Sequence, residues 1–135
     1  MKVSLGKYPD PRSKKERKVK IKIDPYDIWN LDCTLSMIIA PCLKLMREDD
    51  DVGIPGKFYQ EKLGDVYSRQ HCFGFYEETS EVSDEIRKLW LEEFDKMIWA
   101  FESYETADLF EDEEAQAKIQ EGLDLFSKYY SGLWT

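Results

Sequence analysis

Hydrophobic and polar residues alternate over residues 17–23, which read R-K-V-K-I-K-I. Val19, Ile21 and Ile23 occupy every second position, and lysines lie between them. A period of two predicts a β-strand over residues 17–23 with one apolar face. A lone strand must pair, because its backbone donors and acceptors need partners. Two partners fit the sequence: residues 71–76, or the same strand of a second copy, exchanged across a dimer axis.

Apolar residues recur every three or four positions in three later stretches, which is the spacing of amphipathic helices. The predicted helices cover about residues 25–47, 83–105 and 111–131, and a loop rich in Gly, Pro and Asp covers 48–80. Pro41 predicts a bend of about 20° or more in the first helix. Gly122 predicts a close helix–helix approach, since glycine inside a helix costs roughly 1 kcal/mol relative to alanine. The predicted fold is mainly α, a three-helix bundle with one or two short strands.

The apolar stripe of each helix predicts its buried face. In order, the stripes are Leu31, Leu35, Ile38, Ile39, Cys42, Leu45 and Met46; Ile86, Leu89, Trp90, Phe94, Met97, Ile98, Phe101 and Tyr104; and Ala115, Ile119, Gly122, Leu123, Phe126, Tyr130 and Leu133. Trp99 and Tyr129 lie off these stripes. Such off-stripe aromatic residues either form an interface between copies or line a cleft.

The start of the first helix is predicted by D-P-Y-D at residues 24–27. Asp24 is a suitable N-cap, and Pro25 fits the first helical position, where its missing N–H costs nothing. Asp27 falls at the third helical position, from which its carboxylate can accept the N–H of Asp24. Capping therefore explains these two aspartates without any chemistry.

Charge is distributed unevenly. Residues 1–23 hold nine Lys and Arg and two acidic residues, Asp10 and Glu16, which gives them a net charge of +7. Because the whole chain has a net charge of −9, residues 24–135 carry −16. Residues 1–15, with their prolines and charges, predict a flexible basic arm ahead of a single helical domain over 16–135. The arm fits an acidic surface of its own chain or of a neighbour, and the acidic body makes nucleic acid an unlikely partner.

Several kinds of chemistry find no support in the sequence. The chain has one histidine, His71, beside Cys72, and sequence neighbours on a strand point apart, which disfavours a nucleophilic pair. The cysteine spacing suits no zinc site, and no phosphate-binding glycine loop is present. Asp24, Asp27 and Asp32 are the best carboxylate group for a metal, but we predict no metal, no cofactor and no enzyme activity. No stretch predicts a membrane span or a secretory signal, and the thiols of Cys33 and Cys42 are expected to be reduced and buried.

Three ordered segments carry a resemblance to a family. Residues 19–46 contain D-x-x-D-x-W-x-x-D-x-T-L, residues 95–103 read D-K-M-I-W-A-F-E-S, and residues 118–134 contain G-x-x-L-F-S-K-Y-Y-x-x-L-W. This order resembles an uncharacterised family of small proteins encoded by tailed bacteriophages. The chain departs from the family pattern at Lys96, where an acidic residue is usual, and at Ser127, where glycine is usual. The resemblance implies a phage product in the cytoplasm of an infected bacterium.

Two functions are compatible with these features. In the first, the protein is a non-catalytic, self-associating binding protein that counters host defence or redirects host machinery by sequestering a small nucleotide-like signal. Its aromatic residues would stack the ligand and its lysines would pair the phosphate. The candidate ligand-binding residues are Lys20, Lys22, Asp27, Trp29, Asp32, Trp99, Lys128 and Tyr129. In the second, an acidic helical face near residues 102–114 binds a host or phage protein and there is no small ligand. The first function requires Lys20, Lys22, Trp99 and Tyr129 to converge on one concavity.

Overall fold

The computed structural model describes residues 1–64, 80–104, 106 and 112–134. Over these residues the chain is mainly α-helical, with four α-helices and a small antiparallel sheet of two strands, which confirms the predicted fold class. The chain divides into two compact units, Met1–Leu35 and Ser36–Thr135, called here the N-terminal and C-terminal units. The strands are β1 (Lys2–Leu5) and β2 (Val19–Lys22), and the α-helices are α1 (Leu31–Glu48), α2 (Gly56–Leu63), α3 (Ser80–Ser103) and α4 (Glu113–Tyr129).

Within the described residues, the predicted strand pairs with a strand that was not among the two expected partners. β2 pairs with β1, in the first residues of the chain, in an antiparallel ladder with Val3 opposite Ile21 and Leu5 opposite Val19. The prediction of a flexible arm over residues 1–15 is therefore wrong for Lys2–Leu5. The four-residue alternation K-V-S-L is too short to stand out in the sequence. Residues 71–76 lie outside the described residues.

The predicted first helix is in fact two helices. A 3-10 helix covers Pro25–Ile28, and α1 begins at Leu31. Asp27 Oδ2 accepts the N–H of Asp24 at 2.8 Å, as the capping prediction requires. At the break, the Asp27 carbonyl accepts the hydroxyl of Thr34, which lies in the first turn of α1, at 2.9 Å. Pro41 lies inside α1, and the bend there stays a prediction.

The predicted loop over residues 48–80 contains α2. Pro55 is the N-cap of this helix, and Gly64, with φ +66°, is its C-cap. Glycine favours this conformation because it has no Cβ. The Pro and Gly residues that suggested a loop therefore delimit a short helix, whose Phe58 is 1% exposed.

The core of the C-terminal unit is built around Trp90. Its ring centroid lies 5.0 Å from that of Phe58, 5.0 Å from that of Tyr129 and 5.2 Å from that of Phe94. Its indole N–H donates to the carbonyl of Gly53 at 3.1 Å, which satisfies the one polar atom of a fully buried side chain. Three helices, α2, α3 and α4, thus contribute rings to one cluster.

Helices α3 and α4 approach each other most closely at Gly122. A Cβ built on Gly122 would lie 2.3 Å from Ala100 Cβ and 2.6 Å from the carbonyl oxygen of Lys96. Both distances are shorter than van der Waals contact, so no other side chain fits at this position. The close approach predicted from Gly122 is confirmed.

The predicted buried faces are right for α3 and wrong for α1. Ile86, Trp90, Phe94, Met97, Ile98 and Phe101 are all buried. In α1, Leu31, Leu35, Ile38 and Leu45 are exposed, and so is Cys42, whereas Ser36, Ala40 and Leu43 are buried. The helix has two apolar stripes. Ile39 and Met46, which were also predicted to face inward, are partly buried and pack against the core, so the prediction for α1 is wrong for five of its seven residues.

The end of α4 also needs a correction. Tyr129 is 3% exposed and Tyr130 is 68% exposed, the reverse of the prediction. Ile119, Gly122, Phe126 and Tyr129 follow alternating steps of three and four residues, which keeps them on one face of the helix. After Tyr129 the chain tightens into a 3-10 helix over Tyr130–Gly132, so Tyr130 leaves that face.

Candidate interaction surface

The β1–β2 ribbon has one apolar face and one basic face. Side chains alternate along each strand, and directly opposed residues share a face. The ladder register therefore places the apolar residues together and the lysines together. The apolar face consists of Val3, Leu5, Val19 and Ile21, and the opposite face of Lys2, Ser4, Lys20 and Lys22.

The apolar face is open to solvent. Val3, the most covered of its four residues, is 47% exposed, and Ile21, the least covered, is 57% exposed. A two-stranded ribbon is marginal on its own in water, because it needs a further strand or a packed face for stability. The ribbon thus presents an apolar surface of the kind that marks an interaction site.

The segment after the ribbon adds further exposed apolar residues. Trp29, directly after the 3-10 helix, is 81% exposed, and Ile23, Tyr26, Ile28, Leu31 and Leu35 are exposed as well. Together with the four residues of the ribbon face, we call this set the N-terminal apolar surface. Large aromatic residues rarely remain so exposed without a binding role, because they carry much of the binding energy in interfaces.

The loop that joins β1 and β2 is held at its base. The Gly6 N–H donates to the Lys18 carbonyl at 2.8 Å. Arg17 donates through Nε to the Gly6 carbonyl at 2.7 Å, and its guanidinium lies 4.0 Å from the centre of the Tyr8 ring. These contacts fix the ribbon register, because they close the loop directly beside the last ladder pair.

Asp27, a predicted ligand-binding residue, has both carboxylate oxygens engaged within the chain. Oδ1 accepts the Met1 amino group at 2.7 Å and Oδ2 accepts the Asp24 N–H at 2.8 Å. The hydrogen bond from the amino group is the largest of the influences that lower the pKa of Asp27, and the Asp24 N–H lowers this pKa further. The role of Asp27 in the structure is to join the chain start to the 3-10 helix.

The other predicted residues of the N-terminal unit lie at its surface. Lys20 and Lys22 are on the basic face of the ribbon, and Lys22 Nζ lies 3.2 Å from Asp24 Oδ1. Asp32 is exposed in the first turn of α1 and accepts the N–H of Cys33 at 2.9 Å. Trp29 and Asp32 flank the break between the 3-10 helix and α1.

Trp99 lines a shallow cavity between α3 and α4. The cavity has a volume of about 380 Å³ and is lined by Asp95, Lys96, Trp99, Lys118 and Glu121. Its lysines are paired with acids, Lys96 with Glu121 at 2.9 Å and Lys118 with Glu114 at 3.1 Å. The hydrogen bond that Lys96 donates to Glu121 is also the main reason that the pKa of Lys96 is raised. The lining carries two cations and two anions, so the cavity has little preference for a phosphate.

Lys128 and Tyr129 meet at Glu61 of α2. Glu61 Oε2 accepts Lys128 Nζ at 2.7 Å and the Tyr129 hydroxyl at 2.9 Å. The Lys128 hydrogen bond is the main cause that lowers the pKa of Glu61, while burial, followed by the Glu61 contact, raises the pKa of Tyr129. This cluster clamps α2 onto the end of α4.

The aromatic candidates of the C-terminal unit do not share a cavity. The Tyr129 ring contacts Trp90, and Trp99 lies nine residues beyond Trp90 on α3, a distance of roughly 13 Å along a helix. Lys128 and Tyr129 instead line a cleft of about 300 Å³ with Lys57, Ser131 and Trp134 among its other walls. Convergence of Trp99 and Tyr129, which the nucleotide hypothesis requires, is therefore not observed.

The feature that sequence reasoning missed is the apolar surface itself. One signal for its last part is present in α1, because Leu35 belongs to a run, Cys33 to Leu43, without a single charged residue. A helix covered on one side only normally carries charges on the other.

Two negative findings apply to the described residues. Among their side chains, no three His, Cys, Asp or Glu residues are grouped so that they could hold a metal ion. None of the helices in these ranges is long and apolar enough to cross a membrane.

No family model, curated protein or solved structure matches the chain.

Proposed function

We propose that the protein is a non-catalytic interaction module that binds a second copy of itself through its N-terminal unit. The observation that carries this proposal is the apolar ribbon face, with all four side chains about half exposed. Such exposure is unfavourable in a monomer, because burying each Å² of apolar surface would stabilise the protein by roughly 25 cal/mol.

Further exposed apolar residues adjoin the ribbon in the chain. Ile23, Ile28 and Trp29 are 56%, 58% and 81% exposed, so they are available to extend a contact made by the ribbon.

Mutation of the ribbon face tests the proposal by sedimentation equilibrium. Leu5→Lys introduces a charge on the apolar face, and we expect its dissociation constant to be at least about tenfold higher than that of the wild type. Glu16→Gln is the matched control, because it changes the net charge by the same +1 at an exposed loop position. It should associate like the wild type. A wild-type protein that sediments as a monomer from low to high micromolar concentration overturns the proposal.

The cellular setting rests on the sequence resemblance alone. A phage-encoded interaction module in the cytoplasm of an infected bacterium would counter host defence or redirect host machinery by occupying a host protein. The acidic helical face proposed for such contacts includes residues 105 and 107–111, which lie outside the described residues.

A second function is favoured by the cleft at the end of α4. Lys57, Ser131 and Trp134 supply a cation, a hydroxyl and a half-exposed aromatic ring to a cleft of about 300 Å³, which suits a small planar anion such as a nucleotide. Lys128 also lines the cleft, but its charge is paired with Glu61. A ligand at 100 times its dissociation constant stabilises by about 2.7 kcal/mol, which a thermal-shift screen of nucleotides and cyclic dinucleotides detects. Equal shifts for the wild type and Lys57→Gln, or no shift at all, contradict this function.

A further inference from the structure

Within the described residues, no strand pairs with the outer edge of β1, and this edge has the features required for pairing with a second copy. We propose that two copies associate by antiparallel pairing of β1 with β1 of the second copy, in a register centred on Ser4. The product is a continuous four-stranded sheet in the order β2–β1–β1–β2. This inference rests on the proposed self-association and specifies how the two copies meet.

The direction of the backbone groups follows from the ladder. Gly6 donates its N–H to Lys18 at 2.8 Å, so Gly6 and Lys18 form a hydrogen-bonded pair. Hydrogen-bonded and non-hydrogen-bonded pairs alternate along an antiparallel ladder. In the register of β1 and β2, Ser4 therefore points its N–H and C=O toward β2, whereas Val3 and Leu5 point theirs away from it. These outward groups form the open edge, which is a template for another strand.

The register centred on Ser4 satisfies the outward groups of both copies. Val3 of each copy pairs with Leu5 of the other, and each of these pairs exchanges two hydrogen bonds. The side chains of Val3 and Leu5 then meet on the apolar face, and Ser4 faces Ser4 on the other side. Lys2 is opposite Gly6, so no lysine faces a lysine across the new contact.

The outer edge of β2 is less suitable. Its outward groups belong to Val19 and Ile21, by the same alternation. A two-fold register centred on Ile21 places Lys20 of each copy directly opposite Lys22 of the other, so two pairs of lysines face each other. Like charges directly opposite each other destabilise a strand pair. Lysines on an edge strand also protect it from further pairing, so the assembly ends at four strands.

The four-stranded sheet resolves the marginal stability of the ribbon. Three or more strands with an apolar face are stable where two are not. Pairing also brings Val3 of each copy against Leu5 of the other, so these side chains cover each other at the seam and part of the apolar face leaves water. A two-fold contact of this kind closes on itself, whereas pairing β1 of one copy with β2 of the next would produce an open filament.

Proline substitutions at the two edges test which edge pairs. Val3→Pro removes an outward N–H from β1, and Ile21→Pro removes the corresponding outward N–H from β2, while neither removes a donor of the β1–β2 ladder. We expect Val3→Pro to raise the dissociation constant at least about tenfold, and Ile21→Pro to leave it within about twofold of the wild type. The reverse order of effects overturns the proposed edge while leaving self-association intact.

Cysteine cross-linking tests the register independently of stability. In a background with Cys33, Cys42 and Cys72 replaced by Ser, Ser4→Cys places two thiols in a non-hydrogen-bonded pair, whose Cα separation of about 4.5 Å suits a disulfide. Lys20→Cys is the control, because three strand spacings of about 4.8 Å separate the two copies of residue 20. Mild oxidation should link Ser4→Cys dimers and not Lys20→Cys dimers. A dimeric mass with no link at position 4 overturns the β1 pairing, whereas a monomeric mass overturns the proposed function itself.

Discussion

Gly122 allows a direct test of the α3–α4 contact, on which the C-terminal unit depends. In Gly122→Ala the new Cβ would lie 2.3 Å from Ala100 Cβ and 2.6 Å from the Lys96 carbonyl oxygen. Carbon atoms reach optimal contact at about 3.5–4.0 Å, so the helices must separate by more than roughly 1 Å. Overpacking of this kind costs about 1–3 kcal/mol, while alanine gains about 1 kcal/mol in helix propensity. We expect a net loss of about 1 kcal/mol, and a larger loss for the bulkier Gly122→Val.

Urea unfolding followed by far-UV circular dichroism measures this loss, and a thermal midpoint lower by about 3–5 °C should accompany it. Gly56→Ala is the matched control, because Gly56 is the first residue of α2 and a Cβ there would meet nothing within 4 Å. It should stabilise by about 0.4–1 kcal/mol, since alanine restricts the unfolded chain. A Gly122→Ala protein stabilised as much as Gly56→Ala would refute the close approach of the two helices.

Three further predictions concern single side chains. The pKa of Glu61 is lowered in the folded protein, so its contribution to stability is present above the ordinary carboxyl pKa and is lost as the pH falls through the folded-state pKa. The urea midpoint of Glu61→Gln should therefore decline less between about pH 6 and 3 than that of the wild type. If the two proteins give parallel curves of urea midpoint against pH, the clamp with Lys128 and Tyr129 is contradicted. Trp29 is 81% exposed, so Trp29→Ala should change the free energy of unfolding by no more than about 0.5 kcal/mol, and a loss of several kcal/mol would show that Trp29 is part of a core. Cys42 is exposed, so its thiol should react rapidly with a maleimide in the native protein, and native Cys42→Ser should show one fewer fast-reacting thiol than the wild type. An unchanged number of fast-reacting thiols would contradict that exposure.

Periodicity alone was sufficient to predict the buried face of α3. Trp90, Phe94 and Met97 lie on a stripe whose spacing leaves one arrangement, and Gly122 marks the helix contact because it is otherwise unfavourable there. α1 could not be predicted in the same way. Its two apolar stripes are equally periodic, and the choice between Leu35 and Ser36 as the inward residue depends on how closely its neighbours approach.

The candidate surface was only half predictable. Alternation over seven residues identified β2, whereas β1 has four residues and sits among charges that suggested a flexible arm. Strand pairing is a non-local interaction, so no local pattern reports it. Two of the predicted ligand residues have partners that the sequence pattern does not reveal: the charges of Lys128 and Asp27 are paired with Glu61 and the Met1 amino group.

Amide hydrogen exchange of β1 tests the central claim, that copies bind each other through the N-terminal unit, most directly. At concentrations where the protein self-associates, the outward amides of Val3 and Leu5 should exchange slowly. Dilution below the dissociation constant should raise their exchange rates, whereas the exchange rates of the Ser4 and Gly6 amides, which are bonded to β2, should change less. Rates for Val3 and Leu5 that match an unstructured chain at every concentration would contradict the account.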